Sequence, residues 1–152
     1  MGWTFYNSNG EVMTATTEGP VPVFGRNIDT GGSFTTTSST LEDVTDATVT
    51  FTTGAFPVAY GAIATTRSDD ATSTAYFNID IDGALEMGST GGASFTTDAT
   101  TANRNASFTG QSAALSAASH TIKLQALQSA GGTLTILATS ATSLNFWAHE
   151  IR

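Results

Sequence analysis

Cysteine is absent, which removes disulfides, thiol catalysis and thiolate-bound zinc from consideration and leaves the redox compartment open. Basic residues are scarce: five Lys and Arg stand against thirteen Asp and Glu, a formal net charge of −8. A chain this acidic is repelled by phosphate, so neither nucleic acid nor an anionic membrane surface is expected as a partner. Charged residues make up only 12% of the chain, so its solubility rests on hydroxyls and amides. No window approaches the roughly eighteen consecutive apolar residues of a membrane helix. The opening MGWTFYNSNGEV has neither the basic flank nor the apolar run of a signal peptide, so no ordinary secretion signal is expected. Helical periodicity is missing too. The best short candidate, Leu115 to Ala118, runs directly into an extended stretch.

What the chain has is threonine and alternation. Thr is its commonest residue, and its β-branch suits a pleated, half-solvated surface. In ATVTFTTG (47–54), Ala47, Val49 and Phe51 share one face while Thr48, Thr50 and Thr52 share the other. In TAYFNIDIDG (74–83), Phe77, Ile79 and Ile81 point one way, and Tyr76, Asn78, Asp80 and Asp82 the other. ASHTIKLQALQSAGGTLTI (118–136) reads as strand, glycine turn and strand, with His120 on the side of Ile122, Leu124 and Ala126. Many short strands punctuated by turns, in a length suited to one domain, predict an all-β antiparallel sandwich or barrel.

Two strands are apolar on both faces. FPVAYGAIATT (56–66) sets Val58, Tyr60 and Ala62 against Ala59 and Ile63; SLNFWAHEI (143–151) sets Leu144, Phe146 and Ala148 against Trp147 and Ile151. A lone sandwich buries one face of each sheet, so a doubly apolar strand requires a second cover. That cover is either the N-terminal segment or an identical subunit, and the subunit is favoured. Residues 1–30 are expected to form an N-terminal hairpin or arm on a sandwich spanning 31–152. WTFYNSNGEVMT contains a hairpin with its turn at Ser8-Asn9-Gly10, and Pro20 and Pro22 mark an edge or connector.

Chemistry-bearing residues each meet a plainer explanation. His120 has apolar neighbours of like parity and no G-x-S-x-G nucleophile motif accompanies it, so a buried imidazole donating to a carbonyl or carboxylate is expected. His149, in WAHEIR, lacks the second histidine of H-E-x-x-H; two histidines meeting across neighbouring strands would make only a weak metal site. NIDIDG (78–83) opens like a calcium loop, but Ser89 stands where the bidentate Glu belongs, and an Asp-Gly turn ending a strand explains the same letters. A non-standard calcium site would have to draw on Asp80, Asp82 and Asp69 or Asp70. The remaining acids lie mostly in turns, and nothing fixes a carboxylate pair for glycoside hydrolysis. Asn105-Ala106-Ser107 is a glycosylation sequon without further support. Trp3, Tyr6, Tyr60, Tyr76 and Trp147 could stack on sugars, with packing the commoner role of such rings.

Four segments in order carry a resemblance: STLEDVTDATVTFTTGAFPVAYGAIATT (39–66), STAYFNIDIDGALE (73–86), LSAASHTIKLQALQSAGGTLTI (115–136) and LNFWAHEI (144–151). Together they resemble jelly-roll domains of tailed-phage structural proteins, of the tumour-necrosis-factor and complement type, with Ala118 where a glycine is usual. The resemblance implies a jelly-roll β-sandwich, a structural role for His120 at the opening of its strand, and a homotrimer in a virion. The resulting expectation is a non-enzymatic capsid decoration or head or tail fibre component, without cofactor. Copies would meet through Tyr60, Ile63, Phe146 and Trp147, and Trp3, Phe5 and Tyr6 would attach the chain to other virion proteins. The alternative is a carbohydrate-binding module that recognises a host glycan.

Overall fold

Period-two patterning has a direct structural consequence, because each strand can offer one apolar row to a facing sheet. The chain's structure, a computed structural model, describes residues 5–6, 12–13, 24–29, 31–70, 72–88, 92–96, 102–129, 131–139 and 141–152. Within them run β1 (Phe5–Tyr6), β2 (Val12–Met13), β3 (Phe24–Asp29), β4 (Phe34–Thr36), β5 (Glu42–Thr52), β6 (Pro57–Ser68) and β7 (Thr74–Ile81). They continue with β8 (Ala84–Leu85), β9 (Ala93–Thr96), β10 (Arg104–Ala114), β11 (Ser119–Gln128), β12 (Leu134–Leu137) and β13 (Leu144–Glu150). No helix occurs among the described residues.

All recorded pairings are antiparallel, and they build two principal sheets. The first runs β3-β13-β6-β10; the far half of β6 pairs instead with β12, which carries β4 on its other edge. The second runs β5-β11-β7, with β8 and β9 on successive parts of β7. Taking β3, β5, β6, β7, β9, β10, β11 and β13 as the eight main strands, one sheet holds the first, eighth, third and sixth. The other holds the second, seventh, fourth and fifth. That interleaving is the double Greek key of a jelly-roll sandwich.

β1 and β2 pair as the expected hairpin, with Phe5 opposite Met13. β3 differs from expectation. It falls within the stretch read as an arm, yet it runs along β13 from Gly25 opposite Ala148 to Asp29 opposite Leu144. The sandwich therefore begins by Phe24 rather than at residue 31.

The core fills the space between the sheets. Val58, Tyr60, Ala62 and Ala64 of β6 and Leu144, Phe146 and Ala148 of β13 face Val49, Phe51, Phe77, Ile79, Ile122 and Leu124 of the other sheet. Phe77 sits at its centre, edge-on to Phe95 at 5.6 Å and 6.2 Å from Phe108, which projects from the opposing sheet. β5 reaches this core in spite of a break in its alternation. Val44 and Ala47 are both buried although three residues apart, because the register against β11 shifts there and Asp46 takes a φ of 60°. An extra residue in one strand of an antiparallel pair is a β-bulge.

Candidate assembly face

The two sheets turn very different surfaces outward. On the β5-β11-β7 sheet, Thr48, Thr50 and Thr52 line up beside Thr121, Lys123 and Gln125. The Thr50 and Thr121 hydroxyls lie 3.2 Å apart, and Asp43 accepts from Lys123 Nζ at 2.6 Å and Gln125 Nε2 at 2.8 Å. Those two donors hold the Asp43 carboxyl below its usual range. This is a hydrated surface.

The outward positions of the other sheet are Ala59, Gly61, Ile63, Thr65 and Arg67 on β6, Asn105, Ser107, Thr109 and Gln111 on β10, and Asn145, Trp147 and His149 on β13. None is acidic. The only carboxylate on these three strands is Glu150, which is buried on the inner side. In a chain with thirteen acids, three adjacent strands that turn none outward are a marked asymmetry. Ile63 is 53% exposed and Ile28 of neighbouring β3 is 48% exposed, so large aliphatic side chains stand in water on this face.

Trp147 shapes its middle. The indole lies across Gly61, where a Cβ would come within 2.5 Å of Trp147 Cζ2, and it stacks on His149 with ring centroids 5.5 Å apart. Beside it opens a shallow groove of about 370 Å³, bordered by Ile63, Ser107, Thr109 and Trp147.

Of the four expected interface residues, the structure divides two from two. Ile63 and Trp147 lie on this outer face. Tyr60 and Phe146, 3% and 0% exposed, belong to the chain's own core and are unavailable to a partner. Parity separates the two rows of a doubly apolar strand but does not say which row turns inward; here the rows of Val58, Tyr60 and Ala62 and of Leu144, Phe146 and Ala148 do. Tyr60 is thereby also removed as a sugar-stacking ring. Of the attachment residues, Trp3 lies outside the described residues, and Phe5 and Tyr6 are described only as the backbone of β1.

His120 does what a buried imidazole is expected to do. Its Nε2 lies 3.0 Å from the Ser116 carbonyl oxygen and its Nδ1 2.5 Å from Asp82 Oδ2. A carbonyl only accepts, so Nε2 carries a proton, and the Asp82 carboxylate favours a second one on Nδ1. The Ser116 carbonyl first and Asp82 second raise the imidazole's pKa against the opposing effect of burial. The Thr121 amide, donating to Asp82 Oδ1 at 2.8 Å, and then His120 lower that of Asp82. Ser116 Oγ stands 3.4 Å from Nε2, so the order Ser-His-Asp is present. The Nε2 proton is nonetheless committed to a carbonyl, so the nitrogen nearest Ser116 Oγ has no lone pair with which to take its proton. The constellation is a clasp joining the β7–β8 turn, the 116–118 loop and the start of β11.

Other readings separate in space. Asp80 Oδ1 accepts from Gly83 N at 2.9 Å, and Asp82 and Gly83 take φ values of 53° and 90°, as in an Asp-Gly hairpin turn. Asp69 and Asp70 precede β7 and lie at its other end, so these carboxylates do not converge. Among the described residues no three His, Asp or Glu side chains are grouped to hold a metal ion. His120 and His149 sit in different sheets and do not meet.

Two buried polar side chains escaped the sequence reading. Glu150 Oε2 accepts from Gly54 N at 2.6 Å while Oε1 takes the Arg152 guanidinium, whose ring-facing carbon lies 5.5 Å from the Phe56 ring centre. Arg152, more than the Gly54 amide, holds the Glu150 carboxyl below its usual range despite burial. Gln128 Nε2 lies 2.8–2.9 Å from Ser68 Oγ, Ser73 Oγ and the Gly131 carbonyl, tying β11 to the end of β6. The available signal was parity: Glu150 falls in the row of Leu144, Phe146 and Ala148, and Gln128 in that of Leu124 and Ala126. Compared with known proteins, the chain matches no family model and no curated protein.

Proposed function

We propose that the protein is a non-enzymatic structural subunit whose copies assemble, as a trimer, through the outer face of the β3-β13-β6-β10 sheet. The observation that carries this reading is the pairing of exposed Ile28 and Ile63 and half-buried Trp147 with a complete lack of outward carboxylates on β6, β10 and β13. Copies carrying a net charge of −8 repel one another, and they approach at least cost where each surface lacks negative charge. Burying a large aliphatic or aromatic side chain contributes roughly 1.5–3 kcal/mol, enough for a few such groups to hold a contact together. Recurrence of one face on identical copies favours closed rotational symmetry.

Placement in a virion, as a capsid decoration or a head or tail fibre component, rests on the likeness of segments 39–66, 73–86, 115–136 and 144–151 to phage jelly rolls. The threonine-rich second sheet and its loops would then face water. A Trp147→Ser variant examined by light scattering tests the reading. Wild type is expected at the mass of a trimer and the variant at that of a monomer; a monomeric wild type would overturn it.

A further inference from the structure

Four residues along β6 from Ile63, the outer face changes character. A recess of about 280 Å³ opens there, lined by Arg67, Ser68, Asp69, Thr133 and Thr135. Its Asp69 wall and its Ser68 floor are held by hydrogen bonds. Asp69 Oδ1 accepts from Thr133 N at 2.5 Å, and the carboxylate lies against the chain at Gly132. A Cβ on Gly132 would come within 2.5 Å of that same oxygen, and the residue's φ of 73° also suits glycine. Below, Ser68 is buried and its hydroxyl is fixed by Gln128 Nε2 at 2.9 Å and by the amide of Asp70 at 3.1 Å.

Arg67 stands out among the cations. Lys123 is paired with Asp43 and Arg152 with Glu150, whereas the Arg67 side chain makes no hydrogen bond or ion pair with a described residue. Asp69, two residues on, has only one of its oxygens engaged. The recess thus presents a guanidinium with free donors, a carboxylate oxygen with free lone pairs, and Thr133 and Thr135 in its lining.

Chemistry narrows the ligand. A sulfate or phosphate would meet the Asp69 carboxylate, and a metal ion would meet Arg67. An apolar ligand would find no aromatic or aliphatic wall among the described lining residues. A neutral ring bearing several hydroxyls satisfies both charged groups at once, because each hydroxyl accepts from guanidinium and donates to carboxylate, and such charge-assisted bonds are the stronger kind. We infer that the recess is a subsite for a neutral sugar, either a free monosaccharide or the terminal residue of a glycan. This goes beyond assembly and stands apart from it, since binding is read in whatever oligomeric state the protein adopts.

The test is an amide NMR titration of the wild-type protein with galactose, glucose and N-acetylglucosamine, with sodium sulfate and glycine as comparators. It is repeated on Arg67→Ala and Asp69→Asn, the latter retaining an oxygen for the Thr133 amide. The expected result is a saturable shift confined to residues 67–69 and 131–135 for at least one sugar, weakened roughly tenfold or more in either variant. A glycan array run alongside distinguishes the sources: retention of glycans ending in the responding sugar identifies a glycan subsite, and its lack identifies a free-sugar subsite. The inference is overturned if no sugar or glycan binds, if sulfate or glycine produces the response, or if both variants bind as wild type does.

Discussion

The indole of Trp147 occupies the space that any side chain on Gly61 would need: a Cβ there would sit 2.5 Å from Cζ2 and 2.8 Å from Cε2, with the Phe108 carbonyl oxygen 3.0 Å away. The glycine on β6 and the tryptophan on β13 face each other in register, so a central strand gives up a side chain to let an aromatic ring lie flat on the sheet.

Gly61→Ala is therefore expected to push Trp147 off the sheet and to destabilise the fold by about 1–3 kcal/mol, the usual range for overpacking. Urea unfolding of Gly61→Ala, Trp147→Ser and the double variant checks this as a cycle. The alanine should cost less once the indole is gone, with a residue remaining from the Phe108 carbonyl. Strict additivity would show that the two residues do not share the space.

The His120–Asp82 clasp predicts a pH window. The folded-state pKa of His120 is raised, so its contribution is complete below the unfolded value of about 6.5 and is lost as pH rises through the folded value. That of Asp82 is lowered, so its contribution is complete above about 3.9 and is lost as pH falls through the folded value. The pair contributes most between roughly pH 4 and 6.5. In thermal unfolding across pH, His120→Gln should flatten the decline above that window and cost about 1–3 kcal/mol within it. Asp82→Asn keeps a residue tolerant of positive φ in the turn and should flatten both limbs. Variants whose profiles parallel wild type would show the clasp to be inert.

Phe77 reaches across to the opposing sheet through Phe108 and packs edge-on against Phe95 of its own sheet. Phe77→Ala should cost about 3–5 kcal/mol and Phe77→Leu appreciably less, since leucine refills part of the cavity. Chemical denaturation reads both, and a Phe77→Ala variant as stable as wild type would mean the core closes differently.

Much of this fold was legible because the alternating runs of β5, β7 and β11 are long and one-sided in chemistry. The Asp-Gly turn after β7 and the structural role of His120 were legible for the same reason. Three features were not. The bulge at Asp46 breaks alternation without a glycine to mark it. β3 has Gly25 on its inner row, where a Cβ would press on Val49 at 3.0 Å, so it lacks the bulky inward residue that identifies a core strand. The inner rows of β6 and β13 could not be told from their outer ones, because Tyr60 and Ile63, like Phe146 and Trp147, are both apolar and only the facing sheet decides between them. That ambiguity put Tyr60 and Phe146 on the assembly face. The recess at Arg67 joins β6 to the 131–135 turn, residues far apart in the chain, and local patterning has no means of pairing them.

Sedimentation velocity on wild type and Ile63→Asp, over a wide range of protein concentration, addresses the assembly face most directly. Ile63 is exposed, so the aspartate leaves the core untouched while placing a carboxylate where β6, β10 and β13 turn none outward. The account predicts a single wild-type species at three times the 15.6 kDa chain mass and a folded, monomeric variant. A wild type that sediments as a monomer, or a variant that assembles as wild type does, would contradict it.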